Sequence, residues 1–521
     1  MRIISTLALS MLLLFGTPIY GQLRTNGLIT HNAARSLGME RAWYLQVPMN
    51  PYSNSILDVY LHVNAAEADW SYEVTQGDDS YVFSDKDLDT FGRPLGREQA
   101  KANANAFRLK LGGGADLIEH SVPKIYLSML SDRGDVTLVN GETGQVYWTT
   151  HVGNPRHPAV GVCTNDEFTV VVTGVRIFVL RNADGSIVQE RITQSLPGAG
   201  PVMVNKHIFV PSIEDRVEYY NLDRFSWTPD VLASSGRVVT QPAIGGQSIA
   251  WSTDKGDVFV AGTGRPKLWY RVETIGKVIA PVAYQQPGKY VANCINGFVY
   301  CINERDGRSI WRQSLGESLV REPVIVKDRV YVISRNKTCY CLSMKTGDVQ
   351  WSHPDLTQIV SASGERLYAL DRLGNLLVLN LKNGGHYTSL AAGKIDFVMV
   401  NALTDRVYMG TRSGLIQCIH ETHREFPMLH VDEVVATDDA DEGDNNDGNP
   451  MNPANPMPQA PVAPPAVNPF GGGAKPPAAN PFGNGGAKPP AANPFGGGGA
   501  KPPAANPFGG GAKPPAANPF K

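Results

Sequence analysis

The sequence predicts an all-β chain: an eight-bladed β-propeller of four-stranded antiparallel blades, followed by a disordered Pro/Gly-rich C-terminal tail. Three observations predict it. The chain has 521 residues, of which 53 are Gly and 38 are Pro, while only 18% are charged. That excess of chain breakers favours many short strands and unstructured segments over long helices. A Gly-centred turn, an alternating strand, an Asn/Thr/Asp-Gly turn and a strand ending in Trp recur along the middle of the chain. The anchors Gly134, Gly174, Val217, Gly256, Gly297, Lys337, Gly374 and Gly414 lie about 40 residues apart, the period of propeller blades.

Each unit reads in the same way. Clear copies run Asp132–Trp148, Ile295–Trp311 and Arg335–Trp351; weaker ones start at Thr173 and Thr253, and degenerate ones at Asp215, Arg372 and Arg412. Asn296-Gly297 suits a tight hairpin in which both central residues take positive φ. Val299 and Cys301 alternate with polar neighbours, as on a half-buried strand. Thr143-Gly144, Asp306-Gly307 and Thr346-Gly347 form the next turn, and the closing Trp is an apolar plate able to wedge one sheet against the next. One sheet cannot bury both faces alone, so the units must stack, and a closed ring limits exposed edges.

The flanks complete the organisation. Residues 1–21 combine Arg2, the apolar run Ile3–Phe15, the breakers Gly16 and Pro18, and the small Gly21, which is the layout of a secretory signal peptide. The propeller is assigned to 22–431. Its closing strand is expected near 38–47, where Gly38–Gln46 resembles the last strand of a blade. An insertion spans 69–114, with a helix over Arg97–Leu111, and the repeats fill 115–431. An acidic linker follows at 432–450. The tail, 451–521, repeats Asn-Pro-Phe with Gly and Pro-Pro, and has too little apolar surface to fold. Phe470, Phe482, Phe495, Phe508 and Phe520 are its exposed aromatic stickers, suited to a spacer or a multivalent tether.

Charge excludes some functions. Lys plus Arg is 47 and Asp plus Glu is 49, for a net charge of −2. Eight acids lie between Asp432 and Asp447 and five lysines in the tail; setting both aside leaves the rest at +1. Such a surface argues against nucleic-acid binding. No later segment is apolar for long enough to span a membrane, and a monomer is expected.

The residue types that carry chemistry are scattered. Cys163, Cys294, Cys301, Cys339, Cys341 and Cys418 include no CxxC. Cys301, Cys341 and Cys418 share the repeat position held by Leu138, Phe178, Val260 and Val378, so they read as small buried hydrophobes; a disulfide between neighbouring blades is the alternative. His420, His423 and His430 invite a metal, but on a strand the first two fall on opposite faces. His151 and His157 flank Pro155 in an inter-blade loop, with no nucleophile or paired carboxylate beside them. Asp438–Asp447 misses the spacing of a calcium loop, since counting back from Gly448 reaches Gly443 where a ligand belongs. No phosphate-binding loop is found. The sequence therefore offers no catalytic, cofactor-binding or metal-ligating residue.

The patterns Asn140-x-x-Thr143-Gly144-x-x-x-Trp148 and Ser343-x-x-Thr346-Gly347-x-x-x-Trp351 resemble the tryptophan-docking repeat of quinoprotein-like propellers, over roughly Ser121–Pro427. That superfamily includes dehydrogenases dependent on pyrroloquinoline quinone (PQQ). It also includes the non-catalytic outer-membrane protein assembly factor B family, to which this chain is closer in kind. The enzymatic branch implies PQQ with calcium and an adjacent Cys-Cys pair. Here the nearest candidates are Cys339 and Cys341, which cannot form that ring. The assembly-factor branch implies an exported scaffold with protein partners in the periplasm or cell envelope. This chain departs from it in having no Cys after the apolar run and in its long tail. The expectation is a non-enzymatic, secreted or envelope scaffold without cofactor; the alternative is a PQQ-dependent or other propeller-based oxidoreductase.

Overall fold

Five turn glycines of the repeat each serve as a seat for an aromatic plate of the preceding blade, and that arrangement sets the architecture. The computed structural model describes residues 28–430 except 78, 113, 393 and 394, and for residues 65–67 the backbone alone. The leader, acidic linker and tail lie outside the described residues. Strand α-helical content is minor: a short helix α1 (His31–Ser36) and a longer α2 (Gly96–Leu111) accompany eight antiparallel sheets.

Seven sheets have four strands and one has five. Blade 1 is built from β2 (Ile56–Gln76), β4 (Asp116–Ser131), β5 (Asp135–Asn140) and β6 (Val146–His151), and β3 (Asp79–Ser84) is the fifth strand, added outside β2. Blades 2 to 7 follow consecutively, from Ala159–Thr164 to His386–Ala391. Blade 8 mixes the two ends of the propeller: Phe397–Val398, Val407–Gly410 and Leu415–Glu421 are completed by β1 (Met39–Gln46), which pairs from Met39↔Glu421 to Gln46↔Leu415.

An apolar core fills every seam between adjacent sheets. Eight such cores join eight sheets, the last through Trp43, Tyr408 and Cys418 of blade 8 against Ile125, Leu127 and Val139 of blade 1. A linear stack would leave one seam open, so the ring is closed. Each seam removes a sheet face from water, at roughly 25 cal/mol per Å² of apolar surface.

Five seams use the same device. Trp43, Trp148, Trp311 and Trp351 each donate an indole N–H to a carbonyl in the next blade: Gly141 (2.8 Å), Asn182 (2.8 Å), Met344 (2.9 Å) and Leu381 (3.3 Å). Tyr270 donates its hydroxyl to Asn303 (2.9 Å) and Glu304 (2.7 Å). Their rings lie on Gly144, Gly185, Gly347, Gly384 and Gly307, where an added Cβ would stand 2.5–2.6 Å from ring carbon. These glycines also have φ between +69° and +80°, so the position excludes a side chain both by strain and by space. A bulge skips the residue before each plate, as at Tyr147 and Ile310, and turns the plate toward the neighbouring blade.

Several sequence assignments need correction here. Trp269 ends the fourth-blade copy but is the bulged residue, 41% exposed, and Tyr270 docks instead. Trp227 sits in a turn, 62% exposed, and Trp251 and Phe259 of blade 4 fill the seam after blade 3 instead; in the seam before it, Leu222 and Phe225 pack on blade 2, with Gln189 and Arg191 of blade 2 reaching across to the carbonyls of Leu222 and Phe225. Val179, not Phe178, occupies the position of Cys301, because Gly174-Val175 makes a shorter turn and moves the register by one. Asn296-Gly297 is not a doubly left-handed turn: only Gly297 has positive φ, and Cys294 N donates to Phe298 O (2.8 Å) across a wider loop.

The closing seam carries an extra lock. Arg406, 1% exposed, donates to both Glu142 oxygens of blade 1 (3.0–3.3 Å) and to the carbonyls of Arg424 and Glu425. Burial pushes the Glu142 carboxyl up, against the opposing pull of Arg406. Residues 424–430 then strap blade 8: Met428 N donates to Asp405 Oδ1 (3.0 Å), His430 N to Leu403 O (2.8 Å), and His430 Nε2 to Ala362 O of blade 7 (2.7 Å).

Two measurements check this account. Trp43→Ala removes a buried plate and should cost about 3–5 kcal/mol, and Glu142→Gln leaves the buried Arg406 with Asp405 (3.6 Å) as its remaining counter-charge, at a smaller cost of about 1–3 kcal/mol; urea unfolding should show both midpoints below wild type. The second concerns pH. Burial holds the His430 imidazole below its ordinary value of 6.5, with Asp405 pulling up and Lys327 down. The folded state therefore binds this proton less readily than the unfolded chain, and stability present above pH 6.5 is lost as pH falls below it. His430→Gln, which keeps a donor toward Ala362, should flatten that part of the melting-temperature profile.

Candidate interaction face

Propeller strands run between two loop faces, and one of them gathers exposed apolar side chains. This face is made by the turns between the second and third strands of each blade and by the crossovers from one blade to the next. Val175 and Ile213 belong to such turns; Leu196, Val239 and Ile275 belong to crossovers, all across blades 2 to 4. Ile275 is 62% exposed and Leu196 49%. They are held in place: Ile213 N donates to Leu196 O (3.1 Å), and Thr193 N to Val175 O (2.8 Å). Beneath them, Glu218 accepts from the N–H groups of Gln194 (3.1 Å) and Ser195 (2.7 Å), which fixes the crossover carrying Leu196. A shallow hollow beside Ile213 is rimmed by Glu214, Asp215, Arg237, Asp254 and Lys255. An apolar crescent with charges of both signs at its rim is the surface that protein partners use.

The axis of the ring is polar and stitched from blade to blade. Val162 N of blade 2 donates to Asp58 Oδ2 of blade 1 (2.9 Å), Gln241 Nε2 to Pro201 O (2.5 Å), and Gln358 Nε2 to Val398 O (2.8 Å). Gly161 and Gly200 meet there; a Cβ on Gly161 would lie 2.5 Å from Gly200 Cα. Glu322 holds the position of Gly200 and Gln241, just before a proline and an inner strand. Its side chain touches water, yet the surrounding blades enclose it and push its carboxyl up to about 7. Burial likewise raises Asp58.

The candidate residues named from sequence are dispersed. All six cysteines are buried and unpaired. Cys301, Cys341 and Cys418 lie directly opposite Trp311, Trp351 and Trp43 in the strand ladders, as the floor under each docked plate. His151 pairs with Asp135 (2.8 Å), His420 bonds the Glu421 carbonyl (3.0 Å), and His430 is in the strap. Among the described residues no group of three His, Cys, Asp or Glu is placed to hold a metal ion. Cys339 and Cys341 flank Tyr340 on one strand, so an adjacent pair is not supplied. Among the described residues no helix is long and apolar enough to cross a membrane.

Sequence reasoning missed the crescent, Arg406–Glu142 and the axial carboxylates. Only the crescent left a signal, as single apolar residues inside otherwise polar inter-strand segments.

Residues 254–425 match the family described as outer membrane protein assembly factor BamB. The chain is an eight-bladed β-propeller, one stretch of which matches that family. No curated protein matches it. Among solved structures, the propeller is similar to BamB from Moraxella catarrhalis, with 15% identity, 57% of this chain and 93% of the other covered, and a TM-score of 0.48. It is also similar to the computationally designed Ika8 protein, with 12% identity, the same coverages and a TM-score of 0.47.

The thiols of this propeller should be inert. Burial pushes Cys301 up to about 12 and Cys341 to about 11, and raises the other four as well. Ellman's reagent should find no reactive thiol in the native protein, and six after denaturation without reductant.

Proposed function

We propose that the protein is an exported, non-enzymatic propeller that binds protein partners in the cell envelope, with the segment after Met451 as a spacer or multivalent tether. The observation that carries this reading is the apolar crescent of Leu196, Ile213 and Ile275 on a rigid ring. A ring whose cores sit in the seams needs no exposed apolar residues for its own stability, so a crescent on the loops is explained by a partner. The match of residues 254–425 to an assembly-factor family supports a scaffold over an enzyme. The proposal includes no cofactor, no nucleic acid and no membrane span, and the signal-peptide layout supports a periplasmic, envelope or secreted location.

The test compares two full-length proteins. Immobilised wild type and the Leu196→Glu/Ile213→Glu/Ile275→Glu variant are challenged with the same envelope extract. A specific partner retained by wild type should be lost from the variant, while both melt at the same temperature. Equal retention by both would refute this face as the binding surface.

A further inference from the structure

We propose that the arm of blade 1 is a docking edge for an extended, basic peptide segment of a partner protein. The arm lies away from the crescent. β2 starts at the crescent face and runs on past Asn64, beyond the opposite end of the blade, where β4 turns back with it. Pro123 stands at the irregularity between Asn64 and Asp69, where a missing N–H is tolerated. Beyond it the arm has its own core: Tyr72 and Val74 of β2 against Ala100 and Ala104 of α2, all at 0% exposure. Phe107 of α2 packs on Tyr81 (4.8 Å) and Phe83 (5.5 Å), and the Arg97 guanidinium lies 3.7 Å from the Trp70 ring centroid.

β3 is the outer edge of this small sheet. It pairs residue for residue with β2, from Ser71↔Ser84 to Gln76↔Asp79, without a bulge. No described strand pairs with its other side. An open row of backbone donors and acceptors is a template for one more strand unless the edge is blunted by Pro, Lys, a bulge or a cover. Asp79-Ser-Tyr-Val-Phe-Ser84 contains none of these residues and no bulge. Its exposed Tyr81 and Val82 would flank alternate side chains of an added strand. Because α2 already holds β3 flat, little ordering cost remains to be met on binding.

Charge selects the partner. Asp79 begins the edge, and Asp85, Asp87 and Asp89 follow it. The nearby cations are committed: Lys86 pairs with Asp69, and Arg93 with Asp89. Asp85 and Asp87 are fixed at the end of the edge by accepting from Trp70 N (2.9 Å) and Ser84 N (2.8 Å). An edge with acidic ends favours a strand with basic ends and repels an acidic one.

The experiment titrates full-length protein into a labelled peptide, Lys-Lys-Thr-Val-Thr-Val-Thr-Val-Lys-Lys, and into its counterpart with Glu for every Lys. Saturable anisotropy is expected for the basic peptide, with binding about tenfold weaker for the acidic one. Tyr81→Lys/Val82→Lys should weaken binding of the basic peptide by a similar factor while the main melting transition of the propeller is kept, and Val82→Thr, which leaves the Tyr81–Phe107 contact intact, should retain binding. Amide exchange over Asp79–Ser84 should slow when the basic peptide is bound. The crescent variant Leu196→Glu/Ile213→Glu/Ile275→Glu should bind the peptide as wild type does, which separates this result from the fate of the proposed function. Failure of the basic peptide to bind, equal affinity for both peptides, equal binding by the double-lysine variant, or unchanged exchange in β3 would each overturn the proposal.

Discussion

The structure depends on an aromatic plate resting on a glycine of the next blade. The plate needs a flat, side-chain-free seat, and the turn that reverses the chain needs positive φ. One glycine meets both demands, so a single residue type couples the local turn to the packing of the next sheet. Because the seat belongs to the following blade, no blade is complete alone. The last seam is therefore decisive: Trp43, from the N-terminal end of the propeller, docks over Gly141 and Gly144, while Arg406 and Glu142 join the same two blades a short distance away.

Where the plate is absent, other residues fill the space. Arg191 and Gln189 reach across the second seam. Trp251, stacked on Phe259 at 5.7 Å, fills the fourth blade's side of the third. Ile29, Ala34 and Leu37, in and around α1, fill the seam between blades 7 and 8. The repeats can diverge because the seams require volume and a hydrogen bond more than a particular side chain. The cysteines follow the same logic: a small apolar group is needed under the plate, and Leu138 or Val260 serves equally well.

With stability assigned to the seams, the loop faces and the arm are free to vary, as loops on a rigid scaffold generally are. The crescent and the β3 edge lie at opposite ends of the blades and present different chemistry. One is apolar with mixed charge at its rim, and the other offers backbone groups with acidic ends.

The forty-residue period, the Gly turns and the Trp at Trp148, Trp311 and Trp351 were legible in the sequence because they are local and repeat. Period and turn chemistry thus determined the ring and its eight blades. Which aromatic docks was not legible: Trp269 and Tyr270 are neighbours, and a one-residue bulge, set by pairing with the adjacent strand, decides between them. Nor could sequence join Glu142 to Arg406, or place Leu196 beside Ile213, since these residues meet only when the ring closes or when a crossover lies against a turn. Local propensity depends on neighbours in the chain and is written there; a seam, a face or an open edge depends on neighbours in space, and only the folded chain supplies them.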